Sequence, residues 1–333
     1  TLPPVHTAEA IGVHAPTTSL SFVLNEEQQQ AVDYGFYGKS FCLIGAAGTG
    51  KTTTLKAILQ TLLEHHRIPM LEMSTQNLMA ETPGVALIAY TRRAVRNIAK
   101  QMPEQLKRHC MTFHKLVEYA PEYYEDKNED GEWTTKMRFA PTFNKRNKLP
   151  SNLRLVIVDE ASMLSTDHFQ QLVDALPEPS QVQFIFLGDL NQLPPVYGIP
   201  ILGKKLLDLP VIELVRVYRQ ALESPIISLA LSVKNNNFDQ FQKDVRDGVF
   251  EIEGCDPRVF DPRRLPAGKI TLRKPGRGAV TLHTWKKKLD KDDGLMAMQG
   301  HFRMMIKEGQ YDPDEDLVLC PWNTSFGTDE LNK

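Results

Sequence analysis

Short apolar runs alternate with amphipathic stretches between residues 25 and 215 of the chain. The apolar runs are rich in Val, Ile, Leu and Phe, and polar or glycine-rich residues follow them, which is typical of buried strands. These runs occupy residues 41–44, 84–90, 155–158, 183–187 and 212–215. Apolar side chains recur at helical spacing in residues 25–32, 53–63 and 91–99. The alternation predicts an α/β fold with a parallel sheet buried under helices.

The segment from Glu118 to Pro150 departs from this pattern. Aromatic residues lie among charged ones, and Asp130-Gly131 is a strong signal for the turn of a β-hairpin. A basic run at residues 145–148 follows. We expect a small β-hairpin lobe, at about residues 118–150, inserted between core elements. A surface loop without a role is the alternative.

Regular patterning weakens at both ends of the chain. The first twenty residues lack periodicity and are predicted to form a flexible arm. Residues 224–231 have a helical pattern, residues 289–306 are partly helical, and residues 316–322 resemble a strand and turn. The basic stretch 261–291 is interpreted as an irregular linker, with a nucleic-acid-binding face as the alternative.

Composition limits the class of protein. The 333 residues carry a net charge of −2, so any nucleic-acid site has to be local. The four cysteines are far apart and form no CxxC pair, which favours reduced thiols over disulfides or zinc. No apolar run approaches a membrane span and no signal peptide opens the chain, so we expect a cytoplasmic protein without a membrane partner.

A glycine-rich motif links the first apolar run to the helical stretch 53–63. It reads G-x-x-x-x-G-K-T, the pattern of a phosphate-binding P-loop. Glycines allow successive backbone N–H groups to point at phosphate oxygens, Lys51 can reach the β- and γ-phosphates, and the Thr52 hydroxyl can bind Mg²⁺. The predicted phosphate-binding residues are Gly45, Ala46, Ala47, Gly48, Thr49, Gly50, Lys51, Thr52 and Thr53.

Two carboxylates end the apolar run 155–158. A buried parallel strand would deliver Asp159 and Glu160 to the edge of the sheet at which the P-loop also lies. Asp159 can hold Mg²⁺, directly or through water, and Glu160 can polarise a water for in-line attack on a γ-phosphate. The two motifs together predict ATP and Mg²⁺ as ligands.

Other polar residues allow two interpretations each. Gln28 occupies the capping-box position of a helix that Asn25 can cap, and its amide could equally read an adenine edge. Thr91 and Arg92 begin a helix after a strand and could bind a phosphate, or could form an ordinary capped helix with a basic face. His114, by its residue type alone, is more often a structural histidine than a ligand.

The last two strands of this region also end in polar residues. A glutamine after the run 183–187 can sense a γ-phosphate, whereas Asp189 could simply cap a loop. Arg216 and Arg219 follow the run 212–215, and either could stabilise transition-state charge as an arginine finger. A surface salt bridge is the alternative for both.

The order of these motifs resembles superfamily 1 helicases of the RecD-like and Dda-like branch, found in phages and bacteria. The resemblance spans about residues 24–220 and returns weakly at 319–332. Motif III is the most discriminating, because P-loop proteins at large lack it. The matching sequences are Leu24-Asn25-x-x-Gln28, Gly45–Thr52, Ala89-x-Thr91-x-x-Ala94, Thr112-Phe113-His114, Asp159-Glu160-Ala161-Ser162, Gly188-Asp189-x-Asn191-Gln192-Leu193-Pro194-Pro195 and Tyr218-Arg219-Gln220.

The resemblance implies a role for each matching residue. Gln28 would read adenine, Gln192 would sense the γ-phosphate, and Arg219 would be the arginine finger. The residues implied to contact the DNA strand are Thr91, Thr112 and His114, with Arg92 added from its position beside Thr91. The inserted hairpin would be a strand-separating pin.

The resemblance also implies a motor that walks 5′ to 3′ on single-stranded DNA, with ATP closed between two RecA-like lobes. We therefore expect a RecA-like first lobe at residues 21–220, and a linker with the beginning of a second RecA-like lobe at 221–333. Because late motifs do not follow, we expect weak ATP hydrolysis. Replication or recombination proteins would be further partners. The alternatives are a DNA-independent P-loop switch or kinase, and a DNA-binding fragment that holds nucleotide without motor activity.

Overall fold

The computed structural model describes residues 14–15, 23–65, 67, 84–127, 131–151, 153–192, 194–195, 197–216, 224–284 and 291–311. The chain divides into two compact units, Thr1–Leu222 and Glu223–Lys333. The predicted strand at 316–322 and the motif at 319–332 lie outside the described residues, as does most of the predicted N-terminal arm. The assignment of these regions to two motor lobes stays a prediction.

A six-stranded sheet forms the centre of the first unit, and the prediction of an α/β fold with a parallel sheet is confirmed. Its strands are β1 (Phe41–Gly45), β2 (Val85–Ala89), β3 (Cys110–Thr112), β6 (Leu155–Asp159), β7 (Gln183–Gly188) and β8 (Val211–Leu214). They lie in the order β3-β2-β6-β7-β1-β8, and every neighbouring pair is parallel. The carboxyl ends of all six strands therefore meet at one edge.

Helices cover both faces of this sheet. They are α1 (Glu26–Phe36), α2 (Lys51–Glu64), α3 (Arg92–Gln101), α4 (Glu104–Lys107), α5 (Phe113–Leu116), α6 (Thr166–Ala175) and α7 (Ile201–Asp208). One core packs α1, α2 and α3 on the sheet, and the other packs α5, α6 and α7 on its opposite face. Each fully buried aliphatic side chain contributes about 1.5–3 kcal/mol. Among the described residues, no helix is long and apolar enough to cross a bilayer.

The predicted hairpin is present within the segment 118–150. Strands β4 (Tyr119–Lys127) and β5 (Trp133–Pro141) pair antiparallel over their whole length. Glu118, just before β4, has a φ of 48°, a left-handed conformation that turns the chain where the hairpin begins. Most side chains of the hairpin are exposed, so backbone hydrogen bonds and cross-strand side-chain contacts, and not a buried core, stabilise the pairing of β4 with β5.

The second unit has its own small core around Phe241, Phe250 and Phe260. Helices Pro225–Lys234 and Asp239–Arg246 precede a three-stranded antiparallel sheet in the order β11-β10-β9, and a helix at Lys291–Lys307 follows. The strands are β9 (Glu251–Glu253), β10 (Gly268–Lys274) and β11 (Gly278–Thr284).

The prediction of an irregular linker at 261–291 is wrong for residues 268–284. Their basic residues masked an apolar alternation of period two, in which Ile270 and Leu272 of β10 face the core with Leu282 of β11 packed beside them. Gly276, in the predicted turn, has a φ of 71° and lies between the two strands.

Candidate nucleotide-binding site and strand-binding face

The P-loop joins β1 to the first turn of α2, as its sequence predicts. Gly48 and Gly50 have φ values of 81° and 91°, which a residue with a Cβ adopts only at a cost. Gly50 is the N-cap of α2, and no side chain caps this end of the helix. The N–H groups of the first turn are therefore available to an anion, which the helix dipole also favours.

Lys51 folds over the loop that it follows. Its Nζ donates to the carbonyl oxygens of Gly45, at 2.5 Å, and of Ala46, at 3.2 Å. Thr49 Oγ1 also donates to the Ala46 carbonyl, at 2.8 Å. Burial lowers the pKa of Lys51, whereas the charges of Asp189, Asp159 and Glu160 act to raise it. The amine is thus held in the loop by two carbonyl oxygens, and the negative charges of three carboxylates favour its charged form.

The hydroxyl residues of the first turn of α2 have different surroundings. Thr54 is buried, and its Oγ1 donates to the Gly50 carbonyl at 2.9 Å. Thr52 is half-buried and Thr53 is exposed. Thr52 and Thr53, rather than Thr54, are therefore open to a ligand at this helix end.

Asp159 is the last residue of β6, and Glu160 follows it with an unusual backbone conformation. Glu160 has φ 50° and ψ 44°, a left-handed conformation that costs free energy in a residue with a side chain. Its N–H donates to Asp159 Oδ1 at 3.0 Å. Burial raises the pKa of Asp159, and burial together with the charge of Asp159 raises the pKa of Glu160. The surrounding fold holds two carboxylates where ionisation is unfavourable, as is common at catalytic sites.

The loop after β7 is hydrogen-bonded to the loop after β6. Asp189 Oδ1 accepts from the backbone N–H of Asn191 at 2.9 Å and from its Nδ2 at 2.8 Å, so Asp189 does cap this loop. Ser162 Oγ donates to Gln192 Oε1 at 3.4 Å. The role of Ser162 was not predicted, because its contact joins residues thirty positions apart in the chain.

Gln28 takes the capping-box role that its position allows. Its backbone N–H donates to Asn25 Oδ1 at 2.8 Å, and its Oε1 accepts from the Asn25 backbone N–H at 3.1 Å. The side chain is buried at the start of α1. Recognition of adenine by Gln28 remains a prediction. Arg219 lies outside the described residues, and Arg216 is exposed just after β8.

Thr91 and Thr112 cap two neighbouring helices. Thr91 Oγ1 accepts from the Ala94 N–H at 3.1 Å, and Thr112 Oγ1 accepts from the Lys115 N–H at 3.2 Å. Because Ala89 pairs with Thr112 and with Asp159, these caps lie at the sheet edge that also carries the carboxylates. Arg92 is exposed beside them.

His114 lies in a cluster of rings. Its centroid is 5.3 Å from that of Tyr90, 4.9 Å from that of Tyr119 and 5.7 Å from that of His168. Burial lowers the pKa of His114, and burial followed by the charge of His114 lowers that of His168. The structural interpretation of His114 is supported, while its predicted contact with DNA is untested. Tyr90 and His168 were not predicted.

The sheet therefore gathers the predicted residues into two adjacent groups. The central strands β1, β7 and β6 carry the P-loop, Gln192, Asp159 and Glu160, and β2 and β3 beside them carry the threonine caps. Oxygen ligands on Thr52 and Asp159 suit Mg²⁺, which prefers hydroxyl, carboxylate and phosphate oxygens. The glycine cradle and the open helix end suit a nucleotide phosphate.

Comparison with known proteins agrees with this geometry. A family profile described as "AAA domain" matches residues 28–198, more than half of the chain. The ATP-dependent RecD2 DNA helicase of Deinococcus radiodurans is 31% identical over 303 residues, which cover 89% of this chain and 36% of that protein. The RecBCD enzyme subunit RecD of Mycobacterium tuberculosis is 26% identical over 180 residues, which cover 50% of this chain and 26% of that subunit.

Solved structures are more distantly similar. The crystal structure of Pif1 helicase from Candida albicans matches with a TM-score of 0.40 at 19% identity, over 68% of this chain and 48% of that one. The chain spans 36% of the length of the RecD2 helicase and 26% of the length of the RecD subunit. By its matched domain the chain belongs to the AAA domain family, and the predicted resemblance to superfamily 1 helicases of the RecD-like branch is confirmed.

Proposed function

We propose that the chain is the nucleotide-hydrolysing part of an ATP-dependent DNA helicase that moves 5′ to 3′ on single-stranded DNA. The observation that carries the proposal is the meeting of Lys51, Asp159 and Glu160 at one edge of the sheet. Their charges influence one another, and burial shifts the pKa of each. Such a cluster beside a glycine cradle fits phosphoryl transfer to water.

ATP would bind with its phosphates on the P-loop. The N–H groups of the loop and of the first turn of α2 would donate to phosphate oxygens, and Lys51 would exchange its carbonyl contacts for the β- and γ-phosphates. Gln28 would read the adenine. Thr52 and Asp159 would hold Mg²⁺, which when bound neutralises charge on the β- and γ-phosphates.

Hydrolysis would use Glu160 as the group that orients and deprotonates water. Its raised pKa makes the carboxylate a better proton acceptor, and its fixed backbone limits where the side chain can reach. Gln192, already in contact with Ser162, would sense the γ-phosphate. Arg219 would stabilise charge in the transition state.

Single-stranded DNA would cross the neighbouring strand ends at Thr91, Arg92, Thr112 and His114. Phosphate contacts would supply most of the affinity, and exposed aromatic rings could stack on bases. The hairpin β4–β5 would act as the pin that parts the duplex. Its exposed Tyr123, Trp133 and Phe139 suit such contacts.

The proposal is tested by the binding of labelled oligonucleotides, with and without a non-hydrolysable ATP analogue. We expect tighter binding of single-stranded DNA than of blunt duplex, and an affinity that changes when the analogue is bound. With ATP, strand displacement should occur from duplexes with a 5′ tail and not from those with a 3′ tail.

Two results would favour other functions. ATP hydrolysis that is rapid and indifferent to DNA would identify a switch or kinase. Nucleotide binding that leaves DNA affinity unchanged would identify a DNA-binding fragment in which the nucleotide is structural.

A further inference from the structure

Helix α6 lies between the loops of the nucleotide site and the base of the hairpin. Its N-terminal end joins the loops that follow β6 and β7. The Thr166 N–H donates to the Ile199 carbonyl at 2.8 Å, and the Ile201 N–H donates to the Leu164 carbonyl at 2.8 Å. A displacement of either loop therefore acts directly on the first turn of α6.

The middle of α6 is hydrogen-bonded to β4, the first strand of the hairpin. Tyr119, the first residue of β4, donates its hydroxyl to Gln171 Oε1 at 2.5 Å. One turn earlier, His168 shares a hydrogen bond of 2.9 Å with Ser165 Oγ and packs its ring against Phe113 and His114. Gln171 and His168 thus lie on the face of α6 that contacts the hairpin and the ring cluster around His114.

The last turn of α6 holds residues 145–149, in the segment that follows β5. Lys148 Nζ donates to the Asp174 carbonyl at 2.7 Å, and the Leu149 N–H donates to the Ala175 carbonyl at 2.7 Å. Lys145 adds an ion pair of 3.6 Å with the Asp174 carboxylate. The first strand of the hairpin and the segment that follows its second strand are therefore both attached to α6, whose other end is attached to the nucleotide loops.

We propose that α6 transmits the state of the nucleotide site to the hairpin, and that Gln171 and Tyr119 are the positioning residues of this coupling. Neither residue touches the nucleotide or the reacting atoms. The inference rests on the proposed function, because it requires that nucleotide and forked DNA bind to the same chain. Contiguous contacts alone do not establish coupling, so the test has to measure it.

The measured quantity is the ratio of forked-DNA dissociation constants with and without a non-hydrolysable ATP analogue. Coupling between sites typically changes affinity about 5- to 150-fold. We expect Tyr119→Phe and Gln171→Leu each to bring the ratio about three- to tenfold closer to one, the scale of one lost hydrogen bond. The double variant should lose no more than either single variant, because both remove one contact.

Matched variants separate positioning from folding. Gln170→Leu changes the neighbouring residue of α6, which is exposed and whose side-chain amide donates to Asp174 Oδ1 at 2.9 Å, and it should keep the wild-type ratio. Gln171→Glu retains an oxygen acceptor for the Tyr119 hydroxyl and should restore most of the ratio. Affinity for the ATP analogue alone should be the same in all variants. Should Gln171→Leu fail to fold, Tyr119→Phe carries the test by itself.

The outcomes distinguish the inference from the proposed function. A wild-type ratio of one would overturn the proposed function and the inference with it. A wild-type ratio well above or below one that persists in Tyr119→Phe and Gln171→Leu would overturn the inference alone. Additive losses in the double variant would show that the two side chains act separately, which also contradicts it.

Discussion

The candidate nucleotide site around Lys51, Asp159 and Glu160, here called the nucleotide corner, differs from the inserted hairpin in which side chains it buries and which it exposes. At the corner, Asp159, Glu160 and Lys51 are held where burial disfavours their charged forms, and Glu160 has a left-handed backbone. In the hairpin, Trp133 and Phe139 are more than 60% exposed, at 67% and 62%. The nucleotide corner holds charged groups and a left-handed residue at a cost in free energy, whereas the hairpin exposes apolar side chains to solvent.

The two faces of the hairpin extend this contrast. One face carries Tyr123, Trp133, Met137 and Phe139, and the other carries the ion pairs of Arg138 with Glu122 and of Lys136 with Asp126. Exposed ion pairs contribute little to stability, typically below 1 kcal/mol. We infer that changes at the corner affect chemistry and stability together, whereas changes of the exposed hairpin side chains affect DNA binding and leave stability nearly unchanged.

The largest effect is expected from Glu160→Gln. The amide keeps the shape of the side chain but cannot accept a proton, so ATP turnover should fall at least about 100-fold while nucleotide affinity is retained. Steady-state hydrolysis and equilibrium binding of a fluorescent ATP analogue measure the two quantities. Normal turnover by this variant would remove Glu160 as the base.

Gly45→Ala is expected to destabilise the corner by about 1–3 kcal/mol, the usual cost of overpacking. The added Cβ would lie 2.5 Å from Thr49 Oγ1 and 2.9 Å from the Leu214 carbonyl oxygen. Gly203→Ala is the control, because a Cβ there meets nothing within 4 Å on helix α7. It should stabilise the protein by about 0.5–1 kcal/mol. Equal unfolding midpoints in urea would contradict this account of the P-loop.

Asp159→Asn should stabilise the protein at neutral pH, by about 0.5–2 kcal/mol, while abolishing function. Burial raises the pKa of Asp159 above its ordinary value of 3.8, so its ionisation opposes folding. This penalty is absent below the ordinary value and grows as the pH rises through the raised pKa. The gain measured by urea unfolding at pH 7 should therefore vanish near about pH 3.

The exposed Glu125 of the hairpin provides the comparison for that variant. Glu125→Gln should change stability by less than about 0.5 kcal/mol at either pH. A gain for Asp159→Asn that does not depend on pH would mean that packing, and not charge, causes it.

The smallest change in stability is expected from Phe139→Ser. The ring is exposed, so the free energy of unfolding should change by less than about 0.5 kcal/mol, and ATP affinity should stay the same. Affinity for forked DNA should fall, because stacking surface is lost. Loss of ATP affinity in this variant, measured without DNA, would show that Phe139 supports the nucleotide site itself, which contradicts a role in DNA contact alone.

The parts of the candidate site that can be predicted from the sequence are those whose chemistry is encoded locally. The P-loop and Asp159-Glu160 need only a few adjacent residues after a strand, and their positions in the fold agree with the prediction. The contacts of Gln171 with Tyr119 and of Ser162 with Gln192 join residues 52 and 30 positions apart, so no local pattern announces them. The order β3-β2-β6-β7-β1-β8 is likewise a property of packing.

Two further differences have identifiable causes. The three-residue strand β3 at Cys110–Thr112 is too short to leave a periodic signal, and the sheet pairing with β2 defines it. In the second unit, dense positive charge concealed the alternation of β10 and β11. The charge of a segment indicates which side chains face solvent, whereas the period of its apolar residues indicates whether it is a strand or a helix with one buried face.

Hydrolysis of ATP by this chain, with and without single-stranded DNA, tests the central claim most directly. The account predicts hydrolysis that is slow without DNA, rises severalfold or more when single-stranded DNA is added, and disappears in Glu160→Gln. A rate that is substantial, unchanged by DNA and retained in Glu160→Gln would contradict both the chemistry assigned to the nucleotide corner and its link to DNA.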